Sequence, residues 1–352
     1  LYEPVREGES IRFSLASPDP LPAGLLAHTR HVFGSACAKV AERSPAVPGL
    51  QTLSLFGVAG SDASALERLR DELRGPALAL GVDCALTRGK MAERGPRLIV
   101  SDVDSTFIRG EAIDMLADAA GSGPRVAAIT EAAMNGELDF AEALAERVAT
   151  LEGLSLDRVK SIADCVEPVP GAETLVATAH ARGCAVGLVS GGFIEVIGGL
   201  ARRLGVDCVL ANRLETSGGS LTGRTEGEIV TRERKAEALL RWSEGGRLPG
   251  ADLPGGAKFT EGSNSPEVSD SPLEARAGGA DFRSRGYPSP RERIDLSETV
   301  AAGDGANDLS MMEIAGLSVA VCAKPAVLAA ADAAVTRPRL DILAAILGWD
   351  AV

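Results

Sequence analysis

The chain has 352 residues, long enough for two or three domains with a substantial core. Aromatic residues make up only 3%, so Ala, Val and Leu must fill that core, and 45% hydrophobic content suffices for it. The balance of 49 acidic against 36 basic residues gives a net charge of -13, which argues against nucleic acid or an anionic membrane as the main partner. No stretch approaches the roughly 18 consecutive apolar residues of a membrane span, and no basic-then-apolar leader opens the chain. The chain begins at Leu1, so either its start is unusual or its true N-terminus is missing. The six cysteines are scattered singly without a CxxC pair and read as small buried hydrophobes in a reducing cytoplasm.

In chain order, residues 11–16 read as a strand, 22–34 as a helix, 37–44 and 50–58 as strands, 61–80 as a helix and 82–88 as a strand. Pro45, Pro48 and Gly49 supply the turn between the middle strands, and Ser61-Asp62 supplies a helix start. This order is the ferredoxin-like βαββαβ arrangement. Residues 89–96 read as a linker, and 98–100 as a short buried strand. Four helices follow, over 111–120, 124–134, 139–152 and 155–163, placed to stand over strand ends as a cap. Beyond Pro170 helices alternate with strands near 185–190, 206–210, 299–302 and 318–321, which predicts a parallel sheet covered on both faces. Residues 243–289, rich in Gly, Pro, Ser and charge, interrupt that pattern as an expected disordered surface insertion.

The chemistry concentrates where apolar runs end. Leu98-Ile99-Val100 runs into Asp102-Val103-Asp104-Ser105-Thr106, and two carboxylates one residue apart point to the same side of an extended chain. In an open α/β sheet they would face the ligand crevice beyond the strand's carboxyl end. Carboxylates that close repel unless a cation or a shared proton relieves them, so the pair asks for a divalent metal. Asp-x-Asp is also common surface sequence with a helix cap behind it; the second acidic loop, Gly303-Asp304-Gly305-Ala306-Asn307-Asp308, placed after the apolar run 299–302, favours two loops converging on one ion. Ser190-Gly191-Gly192 follows the apolar run 186–189 and precedes a helix, a hydroxyl and bare N–H groups suited to an anion, although an ordinary turn uses the same residues. Lys235, with Arg232, Arg234 and Arg241 beside it, reads on its own as a solvated surface charge. His28, His31 and His180 lie outside every motif, and no GxSxG or GKS loop is present.

Residues 102–106, Ser190-Gly191-Gly192, Lys235 and residues 303–308, in this order, resemble the phosphoserine phosphatases of the haloacid dehalogenase superfamily. The likeness runs over residues 97–348, with a helical cap over about 108–168. Residues 1–90 more weakly resemble an ACT-type regulatory domain. The implied fold is α/β, a Rossmann-like parallel sheet with a helical cap behind an N-terminal ferredoxin-like domain. The resemblance implies Asp102 as nucleophile and Asp104 as general acid and then base. It implies Mg2+ on Asp102, the Asp104 backbone carbonyl and Asp304, with Asp308 in support as a ligand through water or an orienting neighbour. Ser190, Gly191, Lys235 and Asn307 would hold the phosphoryl group. Glu111 would meet the substrate ammonium and Arg147 its carboxylate, with Met134 and Phe140 closing over the substrate; without the resemblance, these are ordinary surface charges and core residues.

The implied activity is Mg2+-dependent hydrolysis of O-phospho-L-serine to L-serine and phosphate, the last step of serine synthesis. L-serine is an expected regulator and a homodimer an expected assembly. The rivals are a phosphatase of the same kind acting on another small phosphomonoester, and an amino-acid sensor with a degraded catalytic core.

Overall fold

The computed structural model describes residues 8–60, 62–246 and 293–352. In chain order its elements are β1 (Glu9–Ser17), α1 (Ala23–Ala36), β2 (Ala38–Arg43), β3 (Gln51–Ala59), α2 (Ala63–Ala79), β4 (Asp83–Arg88), α3 (Gly89–Arg94) and β5 (Leu98–Ser101). The helices α4 (Ala112–Ala120), α5 (Gly123–Met134), α6 (Phe140–Ala149), α7 (Leu156–Asp164) and α8 (Ala172–Ala181) follow. Then come β6 (Ala185–Phe193), α9 (Ile194–Leu204), β7 (Cys208–Ser217), β8 (Ser220–Glu226) and α10 (Arg232–Ser243). The last segment holds β9 (Thr299–Gly303), α11 (Leu309–Ile314), β10 (Leu317–Val321), α12 (Pro325–Ala330), β11 (Ala333–Val335) and α13 (Asp341–Ile346). They gather into two compact units, one of residues 1–100, 169–184 and 294–352, the other of residues 101–168 and 185–293.

In the first unit the strand order is β2-β3-β1-β4-β11-β10-β9-β5. The strands of the βαββαβ segment pair antiparallel, whereas β9, β10 and β11 pair parallel. A single bridge, Ala334 to Cys84, joins β11 to β4 antiparallel. Alternation explains the packing of β1: Ile11, Phe13 and Leu15 enter a core with Leu25, Phe33, Leu66 and Leu73 from α1 and α2. The opposite side is covered too, because α3 and α13 pack on β1, and Arg12 is only 4% exposed. Its guanidinium donates to the Met91 carbonyl and lies 5.8 Å from the Phe56 ring.

The second unit carries β6 parallel to β7, and β7 antiparallel to β8. Among its helices α4 packs on α5 and α7, α5 on α6, α6 on β8, and α7 on α9. Local chemistry starts these helices: Asp139 and Glu142 form a reciprocal capping box on α6, and Ser155 caps α7.

Three readings need correction. Residues 89–96 are not a bare linker, because α3 forms there and buries Met91 and Ala92; Arg94 and Lys90 reach the carboxylate of Glu298, which is 2% exposed and must be paired. Pairing is not parallel throughout: Gly218 (φ 60) and Gly219 (φ 84) turn the chain back into β8. Of the cysteines only Cys84 and Cys184 are buried, while Cys165 and Cys322 are exposed, and none of the six forms a disulfide among the described residues. Of the expected insertion over 243–289, Ser243 ends α10 and residues from 247 onward lie outside the described residues. Among the described residues no helix is long and apolar enough to cross a membrane.

Candidate active site

In the second unit the chain leaves the buried strand β5 into Asp102, which is 4% exposed. The carbonyl of Val103 accepts from the N–H groups of Thr106, Phe107 and Ile108, and Ser105 adopts a left-handed φ of 59, so the chain doubles back at once. That tight turn brings Asp104 onto the start of α4. Its Oδ1 accepts from the Ala112 N–H at 2.7 Å, and its Oδ2 accepts from the Ser190 hydroxyl at 2.7 Å. Donors on both oxygens hold the carboxylate in one orientation.

Ser190 ends the apolar part of β6 and is fully buried. Its Oγ also accepts from the Gly192 N–H at 2.7 Å. A Cβ on Gly192 would stand 2.6 Å from Asp104 Oδ2, so no larger residue fits between the loop and the acid. A Cβ on Gly191 would lie 3.5 Å from the Phe140 ring, which starts α6 and is 43% exposed; the helical segment therefore reaches over the glycine loop. Met134 ends α5, and its side chain lies outside the described residues.

Lys235 is 0% exposed and its Nζ stands 2.5 Å from Asp102 Oδ1. Helix α10 is seated by Trp242, whose ring lies where a Cβ on Gly187 of β6 would be, 2.5 Å away. Thr231 caps the helix by accepting from the Arg234 N–H. The cation is thus carried by a helix pressed onto the strand that holds Ser190.

Glu111 sits at the N-cap of α4, with one oxygen accepting from the Ser105 hydroxyl at 2.7 Å. Arg147, half-buried on α6, donates through Nε to the Ala143 carbonyl. Burial pulls the Arg147 guanidinium below its ordinary pKa, against the fields of Asp114 and Glu111. The carboxyl of Asp114 is pushed up by burial; Arg147 opposes this, and Asp118 and Asp104 add to it. Asp104, Glu111, Asp114 and Arg147 thus share one electrostatic neighbourhood, able to receive a small molecule carrying charges of both signs. Asp114 was absent from the sequence reading, although it lies one helical turn past Glu111.

In the first unit, β9 is buried throughout and ends at Gly303. Asp308, 0% exposed, accepts from the N–H groups of Asp304 at 3.1 Å and Gly305 at 3.0 Å through Oδ2. A Cβ on Gly303 would stand 2.3 Å from that same oxygen. Asp304 is half-buried, and carboxylate oxygens of Asp304 and Asp308 lie within 4.8 Å of each other. Asn307 is exposed on the turn between them. Asp308 thereby fixes the backbone of the Asp304 loop.

Asn212 is the other side chain the sequence reading missed. It is 2% exposed, donates through Nδ2 to the Gly191 carbonyl at 2.7 Å and accepts at Oδ1 from the Val230 N–H at 2.8 Å. Its signal was a lone amide after the apolar residues 208–211, a polar group that burial obliges to find partners.

Family models described as haloacid dehalogenase-like hydrolase match residues 99–251 and 290–341. A phosphoserine phosphatase of Mycobacterium tuberculosis is 43% identical over 267 residues, 76% of this chain and 54% of that one. The phosphoserine phosphatase of Lactococcus lactis is 39% identical over 240 residues, 68% of this chain and 89% of that one. A solved structure of a phospho-aspartyl intermediate analogue of phosphoserine phosphatase aligns with a TM-score of 0.53 at 32% identity, over 70% of this chain and 97% of that one. The chain therefore spans about half the length of its mycobacterial relative and nearly all of the lactococcal one. On these matches the chain belongs to the haloacid dehalogenase-like hydrolases, and within them to the group of the phosphoserine phosphatases.

Proposed function

We propose that this chain hydrolyses O-phospho-L-serine to L-serine and inorganic phosphate in the presence of Mg2+, through a phosphoryl group carried on Asp102. The observation that carries the reading is the pairing of a buried nucleophile with a fixed proton carrier: Asp102 lies against Lys235, and Asp104 is held by Ala112 and Ser190.

The donor set suits a hard divalent cation, because Asp102, Asp304 and Asp308 are carboxylates of low exposure and offer only oxygen. Asp102, Asp304 and the Asp104 carbonyl would hold the ion, with Asp308 orienting the Asp304 loop. When bound, it offsets the repulsion between the Asp102 carboxylate and the phosphate dianion.

In the first step a carboxylate oxygen of Asp102 forms a bond to phosphorus while the bond from phosphorus to the serine oxygen breaks. Asp104 gives its proton to that oxygen, so serine leaves neutral at its hydroxyl. In the second step Asp104 takes a proton from water, the water oxygen bonds to phosphorus, and the Asp102 carboxylate is restored as phosphate departs. Lys235 and the Ser190 to Gly192 loop hold the phosphoryl oxygens, joined by the amide of Asn307. Glu111 meets the ammonium of the substrate and Arg147 its carboxylate, while Phe140 excludes water above it.

Phosphate release from phosphoserine with and without Mg2+ tests the reading. Turnover that chelation stops and Mg2+ restores supports it; no release at any Mg2+ concentration overturns it. By the same reading the enzyme works in the cytoplasm on a small molecule, with residues 1–90 as an ACT-like domain that takes L-serine as regulator and pairs two copies. Gel filtration and calorimetry with L-serine test those parts separately.

A further inference from the structure

We infer that Asn212 is a positioning residue for the proton carrier Asp104, acting through the peptide between Gly191 and Gly192. This rests on the role proposed above for Asp104.

The parallel ladder of β6 and β7 pairs Ser190 with Ala211 and then Phe193 with Asn212. Gly191 and Gly192 therefore stand opposite no residue of β7, and their peptide has left the ladder. Off the ladder, the carbonyl of the half-buried Gly191 takes another donor, and the Asn212 amide supplies it at 2.7 Å. In a trans peptide the C=O and N–H point in opposite directions. Holding the Gly191 carbonyl toward Asn212 turns the Gly192 N–H the other way, where it donates to Ser190 Oγ at 2.7 Å. With its lone pair so occupied, the Ser190 hydroxyl directs its own hydrogen to Asp104 Oδ2, also at 2.7 Å. The result is one directed chain of hydrogen bonds, from Asn212 through a peptide and a hydroxyl to the carboxylate, each link polarising the next.

The other end of the same amide accepts from Val230 N–H, just ahead of α10. Only a side chain with a donor and an acceptor at this reach serves both ends: aspartate keeps the Val230 contact but cannot donate, and alanine does neither. Asn212 touches no substrate in this scheme. It sets the direction of a hydrogen bond on the group that moves the proton.

The test compares leaving groups in the first turnover. Serine departs as a poor leaving group and needs the proton of Asp104; p-nitrophenolate departs with little help. In Asn212→Asp and Asn212→Ala, release of the first equivalent of serine from phosphoserine should slow at least about tenfold. Release of p-nitrophenolate from p-nitrophenyl phosphate should change by less than about threefold, since general-acid help matters little there. On a Ser190→Ala background the Asn212 substitution should add little, because the chain is already cut. Equal slowing of both leaving groups, unchanged serine release, or full additivity with Ser190→Ala would each overturn the inference. Thermal melting of each variant separates loss of folded protein from loss of rate. If the wild type releases no serine from phosphoserine, the substrate reading fails by itself, and the same comparison is made between alkyl and aryl phosphomonoesters that the wild type does turn over.

Discussion

Lys235 Nζ lies 2.5 Å from Asp102 Oδ1, with the lysine side chain fully buried and the aspartate side chain 6% exposed. Two opposite charges removed from water depend on each other: deleting one breaks a buried ion pair, which typically costs about 3–5 kcal/mol. Lys235→Met should therefore lower thermal stability markedly and reduce kcat by at least about a hundredfold, the usual range for removing one preorganised electrostatic group. Asp102→Asn on the same background should restore much of the melting temperature while activity stays absent. Recovery of both together would show that the pair serves folding alone.

Asp104 is held by the Ala112 N–H and the Ser190 hydroxyl. Asparagine at this position keeps an acceptor for Ala112 but cannot carry the proton. Asp104→Asn should lower kcat for phosphoserine by about 10²–10⁴ while KM changes little, because the loss falls on the transition state. Steady-state kinetics at saturating Mg2+ read this directly; a rise in KM at constant kcat would assign Asp104 to binding instead.

Arg147 sits in the fields of Asp114 and Glu111, and burial lowers its pKa. A guanidinium there matches a substrate carboxylate. Arg147→Ala should lower kcat/KM for phosphoserine by about ten- to a hundredfold, the range for losing a hydrogen bond to a charged group. Phosphoethanolamine has the same ammonium and ester without the carboxylate, and its kcat/KM should be nearly unchanged. Equal losses on both substrates would remove Arg147 from substrate recognition.

Much of this was legible in the sequence because strand ends and helix faces leave periodic marks. The strands before Asp102, Ser190 and Asp304 are short apolar runs, and each falls within a residue or two of its expected place, except that β6 continues to Phe193. Lys235 was harder: three arginines nearby suggested a solvated face. Yet Lys235, Ala238, Leu239 and Trp242 fall at helical spacing on one stripe, and all four are buried. The lysine stands where an apolar residue would be expected, which is the mark of a buried charge with a partner. β8 was overlooked because its residues 220–226 are mostly polar, although Gly218-Gly219 ahead of it announces a hairpin. β11 has three residues, too few to show any period, and its parallel pairing to β10 and its bridge to β4 define it. The role of α3 depends on Glu298, more than two hundred positions away, which no local pattern can reveal.

Gly303 has no room for a side chain, since a Cβ there would stand 2.3 Å from Asp308 Oδ2 and 2.7 Å from Asp308 Cβ. Gly303→Ala must push Asp308 away from the Asp304 and Gly305 N–H groups it serves. Overpacking of this kind costs about 1–3 kcal/mol. Activity should fall further than stability, and part of it should return at high Mg2+ if the loop holds the ion. A loss of rate that no Mg2+ concentration relieves would separate the Asp304 loop from metal binding.

Asp83 begins β4, and its Oδ1 accepts from the N–H and hydroxyl of Thr336 just after β11. Its other oxygen is buried without a hydrogen-bond partner. Burial is the largest influence and raises the Asp83 carboxyl above its ordinary pKa, against the two Thr336 bonds and the field of Arg337. A carboxyl with a raised folded pKa binds its proton more tightly in the folded state than in the unfolded one. Its contribution is therefore most favourable below the unfolded pKa of 3.8 and is lost as pH rises through the folded value. Once ionised, the site carries the cost of a buried charge. Asp83→Asn keeps an acceptor for Thr336 and removes that charge, so its melting temperature relative to wild type should be highest at pH 7 and should decline toward pH 4. Melting curves of both proteins across that range decide the matter. A difference independent of pH would show that Asp83 is not the titrating group.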